Sequence, residues 1–447
     1  MGKTGAVRRF TLRKSPAAID AVLRRLVCDA HRDVPVYRQS WEAALVRTER
    51  FKGVEDLMQL PIITKGDLLT CDPAGRLRRN PRKGRTVWRV TSGMSGANLE
   101  VHMSRAELVF RRLNLWSRMW RDAGRPLPLT IVQAGAWIPP GSRGEILAFN
   151  AFPLRAVHIS RRLPITEQAR ALAKARPTIL TGCPSSLELL AIEVSRLEID
   201  SIRPAVVVTR GEILRPQVRE LLGSVFRCRV ADYYSAEETG LIAWQCPDAP
   251  DIMHVNRDAC VVEILDESGV PTRPGEEGDV VVTNLFNRTM PFIRYRIGDR
   301  SARLPDSPVG CHCRRAEQSI RAPLGRSDDF IVLPSRERIS PRLVDDIVYL
   351  ASIAPGGESR FYRSLRDYQI VQDSPAGLMI RFLTDESAPA VVHQTLREGM
   401  SGLHPDLHCD LVCVSTIEPE RSGKRKRVIS SVSAGSQISE RREGHAN

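Results

Sequence analysis

The stretch from residue 153 to residue 240 constrains the fold most, because strand and helix patterns alternate there at short intervals. The apolar spacing predicts three strands, at 178–180, 205–209 and 227–231. It also predicts three helices, at 166–175, 185–196 and 215–223. Such alternation favours an α/β fold built on a parallel sheet. In sheets of this kind, ligands bind beyond the carboxyl ends of the strands.

The sequence after this stretch has a different character. From residue 252 to residue 304 the pattern predicts strands, at 259–265, 279–283 and 292–295. A helix is predicted at 341–350, and after it the pattern follows the order strand, strand, helix, strand. That last run predicts a small separate α+β domain, with elements at 366–373, 378–383, 389–401 and 410–417. We therefore expect a large N-terminal domain over 1–324 and a small C-terminal domain over 325–430. The tail, 431–447, has a composition typical of disorder.

Composition limits the classes of protein to consider. No apolar run approaches the roughly 20 residues that span a bilayer, and no secretory signal pattern follows the basic start, so we expect no membrane span and a cytoplasmic protein. Ten cysteines in 447 residues are too few for a disulfide scaffold. The net charge of +14 is spread along the chain without a nucleic-acid reading motif. A nucleic-acid partner is therefore not expected, although a basic surface also suits an anionic substrate or an acidic carrier protein.

Residues 89–101 read as strand, turn, strand. The turn contains Ser92, Gly93, Met94, Ser95 and Gly96. Its small side chains and glycines allow the backbone to approach a ligand closely, and free N–H groups in such a turn form a concavity suited to phosphate oxygens. A plain hairpin turn is the alternative interpretation.

Four other residues have the side chains of a metal site. Cys246 and His254 precede Cys311 and Cys313, and three thiolates with one imidazole are a standard tetrahedral set for zinc. A set of four leaves no open position, which is typical of a structural Zn²⁺. His312 competes with His254 for the fourth position, and four unrelated reduced side chains are the alternative.

Several short segments, taken in order, resemble the motifs of the adenylate-forming superfamily, and of phenylacetate–coenzyme A ligases and their capsule-biosynthesis-linked relatives in particular. They are Leu60-Pro-Ile-Ile-Thr-Lys65, Ser92-Gly-Met-Ser-Gly96, Gly211-Glu212, Tyr234-Ser-Ala-Glu-Glu238, Pro291-Phe-Ile-Arg-Tyr-Arg-Ile-Gly-Asp299, Gly325-Arg-Ser-Asp-Asp329 and Gly423-Lys424. The resemblance covers about 36–428. It implies a large multi-subdomain N-terminal domain and a small mobile α+β C-terminal domain.

The resemblance also implies ATP-dependent activation of a small-molecule carboxylic acid to an acyl-adenylate, followed by transfer to a thiol. Coenzyme A is the expected acceptor, with an acyl carrier protein or an amine as alternatives. Mg²⁺ is the expected cofactor, and relatives with the Cys/His pattern hold a structural zinc there. A homodimer is a further expectation. The phosphate-loop positions that usually hold threonines and a lysine are here Met94, Ser95 and Asn98. That departure motivates a second alternative, a nucleotide-binding partner without catalysis.

Roles follow from the resemblance, residue by residue. Gly211 and Glu212 would line the adenine site, and Tyr234 would be a further cofactor-binding residue. Ser92 to Gly96 would hold the phosphates, and Glu238 would hold Mg²⁺, with Glu237 as its neighbouring alternative. Asp299 would accept from the ribose hydroxyls, unless it is an ordinary turn residue. Arg326 would contact ribose or phosphate, and Asp328 would be the hinge. Lys424 would lie between the carboxylate and the α-phosphate, with Lys426 as its substitute.

Overall fold

The computed structural model describes residues 15–79, 86–90, 99–136, 138, 144–151, 153–305, 308–313, 318–326, 331–335, 338–339, 365–384, 389–401, 406–417, 428–430 and 432. The chain divides into two compact units, Met1–Pro323 and Leu324–Asn447. None of the described helices is both long and apolar enough to cross a membrane.

The first unit begins with helices whose ends are set by local sequence signals. Its α-helices are α1 (Pro16–Asp33), α2 (Pro35–Ala43), α3 (Lys65–Thr70), α4 (Arg105–Ala123), α5 (Ile165–Ala175), α6 (Pro184–Arg196) and α7 (Pro216–Phe226), with 3₁₀ turns at Thr48–Arg50, Val54–Gln59 and Pro73–Arg76. Thr64 and Ser104 cap α3 and α4 in capping boxes with Asp67 and Glu107. In the sequence, Ser104 and Glu107 have the spacing of a capping box and Thr64 is a candidate N-cap, so both helix starts agree with local signals.

The strands of the first unit form two main sheets and a hairpin. They are β1 (Ile63–Thr64), β2 (Val87–Val90), β3 (Glu100–Met103), β4 (Leu129–Ala136), β5 (Ile146–Ala151), β6 (Leu154–Ser160), β7 (Ile179–Gly182), β8 (Val206–Arg210), β9 (Arg229–Ala236), β10 (Gly240–Gln245), β11 (Ile252–Val255), β12 (Cys260–Leu265), β13 (Glu277–Asn284), β14 (Tyr295–Ala302) and β15 (Ser319–Arg321). The hairpin pairs β2 with β3 on either side of the loop that the sequence singles out.

The larger sheet has the order β15-β11-β10-β9-β8-β7-β4-β6-β5. Its central part, from β9 to β6, is parallel, as the alternation of helix and strand predicts. Apolar residues of α5, α6 and α7 pack with those of the central strands in one buried cluster. This arrangement brings the carboxyl ends of five neighbouring strands to one edge of the sheet.

The smaller sheet has the order β1-β14-β13-β12. Our prediction of a strand at 292–295 is wrong, because the strand starts at Tyr295 and continues to Ala302. Before it, the Tyr37 hydroxyl donates to the Pro291 carbonyl and accepts from the Ile293 N–H, so these two backbone groups bond to a side chain and no continuous ladder forms with β13. Arg294 then has a positive φ of 48°, which separates the segment from β14.

The second unit contains β16 (Gly325–Arg326), β17 (Ile331–Val332), β18 (Arg338–Ile339), β19 (Leu365–Ser374), β20 (Gly377–Thr384), α8 (Pro389–Ser401), β21 (His408–Cys413) and β22 (Val428–Ser430). A sheet of order β21-β20-β19-β22 packs its apolar residues with Leu396 and Met400 of α8. The β–β–α–β pattern of the sequence therefore gives the main body of this unit. A helix predicted at 341–350 lies outside the described residues.

Candidate functional site

The turn after β8 carries the first pair of predicted site residues. Gly211 has a φ of +87°, a conformation that a side chain would strain. The carboxylate of Glu212 accepts hydrogen bonds from the N–H and the hydroxyl of Ser185, both at 3.0 Å. Ser185 lies in the first turn of α6, so Glu212 satisfies a backbone donor at the start of that helix. Glu212 thus joins the end of β8 to the β7–α6 turn, and the adenine-lining role of this pair stays a prediction.

Tyr234 and Asp299 link the two sheets of the first unit. Tyr234 lies near the end of β9, and Asp299 lies on β14. The Tyr234 hydroxyl donates to Oδ2 of Asp299 at 2.6 Å, a short hydrogen bond typical of a hydroxyl and a carboxylate. Asp299 is therefore held across from the strand ends of the larger sheet. The alternative of an ordinary turn residue is wrong, because Asp299 is inside a strand.

Two adjacent carboxylates follow β9 and have different partners. Glu238 accepts from the Tyr295 hydroxyl at 3.2 Å, a second link to β14. Glu237 instead pairs with Arg111 at 2.9 Å and lies 3.8 Å from Arg89. Burial alone would raise the pKa of Glu237, but these cations outweigh it and lower that pKa. Because the charge of Glu237 is already balanced by guanidinium groups, Glu238 stays our predicted Mg²⁺ ligand.

A group of basic residues that the sequence does not single out lies near Glu237 or acts electrostatically on its members. We define the cationic crevice as Arg89 of β2, Arg111 and Arg112 of α4, Arg210 at the end of β8, and His158 of β6. Burial and the charges of Arg112, Arg210 and Arg89 lower the pKa of His158 to about 4. The position of Arg210 immediately before Gly211 is a sequence signal for this group. The many other basic residues of the chain make that signal hard to recognise.

The four predicted metal ligands come together. Cys246, His254, Cys311 and Cys313 place their ligand atoms within 4.8 Å of one another. The Cys246 sulfur lies 3.7 Å from that of Cys311 and 4.0 Å from that of Cys313, and Nε2 of His254 lies 3.1 Å from the Cys313 sulfur. A tetrahedron with Zn–S bonds near 2.3 Å has edges of roughly 3.8 Å, so this donor set fits zinc. We name these four residues the thiol–imidazole cluster.

Contacts around the cluster decide between its two histidines. The hydroxyl of Ser319 lies 3.2 Å from Nδ1 of His254, which orients the ring so that Nε2 faces the sulfurs. His312 is not among the grouped ligands, and its backbone N–H donates to Asp248. His254, rather than His312, is therefore the fourth member.

The remaining predicted site residues are not placed by the structure. Ser92, Gly93, Met94, Ser95, Gly96, Asp328 and Lys424 lie outside the described residues. Arg326 is described only through its backbone, in β16. Their roles stay predictions.

Comparisons with known proteins agree with the motifs. No family model matches the chain. A phenylacetate–coenzyme A ligase of Thermus thermophilus is 27% identical over 322 residues, which are 70% of each chain. The CapK protein of Staphylococcus aureus is 27% identical over 171 residues, 37% of this chain and 35% of that protein. A crystal structure of 2-hydroxyisobutyryl-CoA ligase with R3-HIB-AMP matches with a TM-score of 0.75 at 19% identity, covering 96% of this chain and 94% of that one. The resemblance and the fold class that the sequence predicts are thereby confirmed.

Proposed function

We propose, because the chain resembles phenylacetate–coenzyme A ligases in sequence and has the fold of adenylate-forming CoA ligases, that it is an AMP-forming acid–thiol ligase. In the first half-reaction a carboxylate oxygen attacks the α-phosphorus of ATP and pyrophosphate leaves. In the second, a thiol, taken to be that of coenzyme A, attacks the acyl carbon and AMP leaves. Both steps build charge on phosphate or carbonyl oxygens, which fixed donors and cations stabilise.

One observation carries this proposal: two tyrosine–carboxylate hydrogen bonds join the end of β9 to β14. Tyr234 with Asp299 and Tyr295 with Glu238 bring together residues from motifs about 60 positions apart in the sequence. Asp299 can accept from two ribose hydroxyls, and Glu238 can offer an oxygen to Mg²⁺, which prefers carboxylates and phosphates. Gly211, at the neighbouring strand end, leaves room for a base to approach the backbone.

A structural Zn²⁺ is the second part of the proposal. The thiol–imidazole cluster offers four donors, so its members would hold the ion without an open position for substrate. When bound, the ion would supply a cross-link and no chemistry. Strand β10 starts two residues after Glu238, and Cys246 follows it directly. Cys311 and Cys313 precede β15, so the cross-link would join the end of β10 to the segment before β15.

Acid-dependent exchange of pyrophosphate into ATP tests the proposed activation. The purified protein is screened against aryl, fatty, amino and hydroxy acids, and at least one acid is expected to support exchange. Lys424→Ala is expected to abolish that exchange, because its ammonium would lose contact with the α-phosphate. Lys426→Ala is the matched control in the same basic run and is expected to exchange as the wild type does.

Other outcomes separate the alternatives. ATP binding without exchange across the whole acid panel would favour the nucleotide-binding partner without catalysis. Exchange with no thioester formed from coenzyme A would redirect the second step to a carrier protein or an amine. If Lys424→Ala exchanges as the wild type does and Lys426→Ala does not, the catalytic role belongs to Lys426.

A further inference from the structure

The cationic crevice lies at the carboxyl edge of the larger sheet, where the proposed function requires its substrates. Arg210 ends β8, and His158 is near the end of β6, three strands away in the order β8-β7-β4-β6. Arg89 and Arg111 reach the same region through their contacts with Glu237, which follows β9. Adjacent strands are about 4.8 Å apart, so the crevice extends over roughly 19 Å from β9 to β6.

The charges in this crevice do not balance. Glu237 pairs with Arg111 and Arg89. Neither Arg112 nor Arg210 forms an ion pair within the part of the chain that the structure describes, and the buried Nε of Arg210 finds no hydrogen-bond partner there. A buried N–H without an acceptor is costly, so this Nε is a donor that a ligand can satisfy.

The neighbours of Arg210 indicate a ligand of negative charge. Burial is the main cause that lowers the pKa of Arg210. Cys183 and Glu237 act in the opposite direction, and the nearby Arg111 and Arg89 lower this pKa further. His158 is half-buried against the ring edge of Phe149, and its depressed pKa keeps it neutral at pH 7. An anion placed among these groups would relieve the mutual repulsion of the guanidiniums, and Arg would bind a carboxylate through two parallel hydrogen bonds.

We infer that the acid activated by this chain carries a second anionic group, which Arg210 binds within the cationic crevice. This inference rests on the proposed function and names its substrate class. The nucleotide's expected partners, Tyr234, Glu238 and Asp299, lie at β9 and β14. Arg210 directly precedes the expected adenine pair, Gly211 and Glu212, at the end of β8. His158 lies farther along the same edge of the sheet, near the end of β6, and the acid would extend between them.

Matched acids test the inference. Butyrate, succinate and 3-phosphonopropionate are compared as partners in pyrophosphate exchange, and so are benzoate, isophthalate and 3-phosphonobenzoate. In at least one series a doubly anionic acid is expected to give the higher kcat/KM, by about 10- to 100-fold, the usual range for one charge-assisted hydrogen-bonding partner. The carboxylate and phosphonate arms show which second group the crevice accepts.

Arg210→Leu is expected to remove this discrimination by raising the KM for the doubly anionic acid, while the kcat/KM for its neutral partner changes by less than about threefold. Arg210→Lys should retain part of the preference. Arg203→Leu, at an exposed arginine paired with Asp200, is the matched control and should behave as the wild type. Thermal unfolding verifies that each variant is folded.

Calorimetric binding of the same acids separates the inference from the proposed function. If no acid supports exchange, but a doubly anionic acid binds and loses about 10-fold or more in affinity in Arg210→Leu, then the activation chemistry fails, while the binding of a second anionic group by Arg210 is supported. A preference for neutral acids by the wild type overturns the inference. So does an Arg210→Leu variant whose KM for ATP rises equally with every acid, since the crevice would then bind nucleotide phosphates.

Discussion

The thiol–imidazole cluster and the cationic crevice both gather chemically active side chains, but they satisfy them differently. In the cluster, the three sulfurs and Nε2 of His254 surround one point, with the ring held by Ser319. In the crevice, guanidinium groups of like charge face one another around Glu237, and the buried Nε of Arg210 has no partner among the described residues. A cross-linking site is complete in itself, whereas a site for a transient ligand keeps donors unsatisfied until that ligand binds.

The two sites have opposite effects on the free energy of unfolding. An ion held by four protein ligands binds the folded chain far better than the unfolded one, so its binding free energy adds to the free energy of unfolding. Unbalanced charge has the opposite effect, because it is repulsive in the folded state and relaxed in the unfolded one. Substitutions in the cluster should therefore destabilise the protein, and some substitutions in the crevice should stabilise it.

The largest effect is expected from Cys313→Ser. The hydroxyl is a poor replacement for a thiolate ligand, so bound zinc should fall from about one per chain toward zero, and the free energy of unfolding should fall by about 4 kcal/mol or more. Metal analysis and urea unfolding measure the two quantities. Cys28→Ser, at an exposed free cysteine, is the control and should change neither. If the wild-type protein contains no zinc and the unfolding free energy of Cys313→Ser equals that of the wild type, the cluster is not a structural metal site.

A smaller loss is expected from Arg111→Ala. Its guanidinium bonds to the carboxylate and the backbone carbonyl of Glu237 and to the carbonyl of Ala236. Removing it leaves a partly buried carboxylate with Arg89 at 3.8 Å and the more distant charge of Arg210, and the free energy of unfolding should fall by about 2 kcal/mol. Arg112→Ala is the matched control on the same helix, and its unfolding free energy should stay within about 0.5 kcal/mol of the wild type. Equal losses of unfolding free energy in both variants would show that the contacts of Arg111 with Glu237 do not stabilise the protein.

Arg210→Met should stabilise the protein. The substitution keeps an unbranched stem and removes a charge that forms no ion pair among the described residues. It also reduces repulsion with Arg111 and Arg89, which outweighs the lost attraction to Glu237, so a gain of about 1 kcal/mol is expected in urea unfolding. Arg118→Met is the contrasting variant, because Arg118 is buried in a pair with Asp122, and its loss should destabilise by about 3 kcal/mol. If Arg210→Met is destabilised as strongly as Arg118→Met, Arg210 serves the fold rather than a ligand.

The sequence predicts most of the fold because its signals are local. Capping boxes at Thr64 and Ser104 and the alternation along 153–240 correspond to α3, α4 and the parallel strands. The residue types indicate a metal site at the cluster, but the resemblance was also needed to favour it over four unrelated side chains. Strand β14 was misplaced because its start depends on Tyr37, more than 250 residues away.

The cationic crevice could not be predicted from the sequence for the same reason. Arg210 and His158 are about 50 residues apart, and only the strand order of the sheet brings their ends to one edge. In a chain with 66 lysines and arginines, no single arginine is conspicuous. Pairing with Glu237, rather than composition, separates Arg111 from Arg112.

The smallest effect concerns the pH dependence of stability. His158 has a pKa of about 4 in the folded protein, because of burial first and then of Arg112, Arg210 and Arg89, against about 6.5 in an unfolded chain. Between these values the unfolded chain binds the proton more tightly, so stability falls as the pH drops through this window. Going from pH 7 to pH 5, the wild type should lose about 1 kcal/mol more than His158→Gln, a figure reduced for partial exposure of the ring. His102→Gln, at a histidine beside Glu100, is the control. Equal losses in the wild type and His158→Gln would mean that the arginines do not repel a proton at this position, and the crevice would then lack the unbalanced positive field that distinguishes it from the cluster.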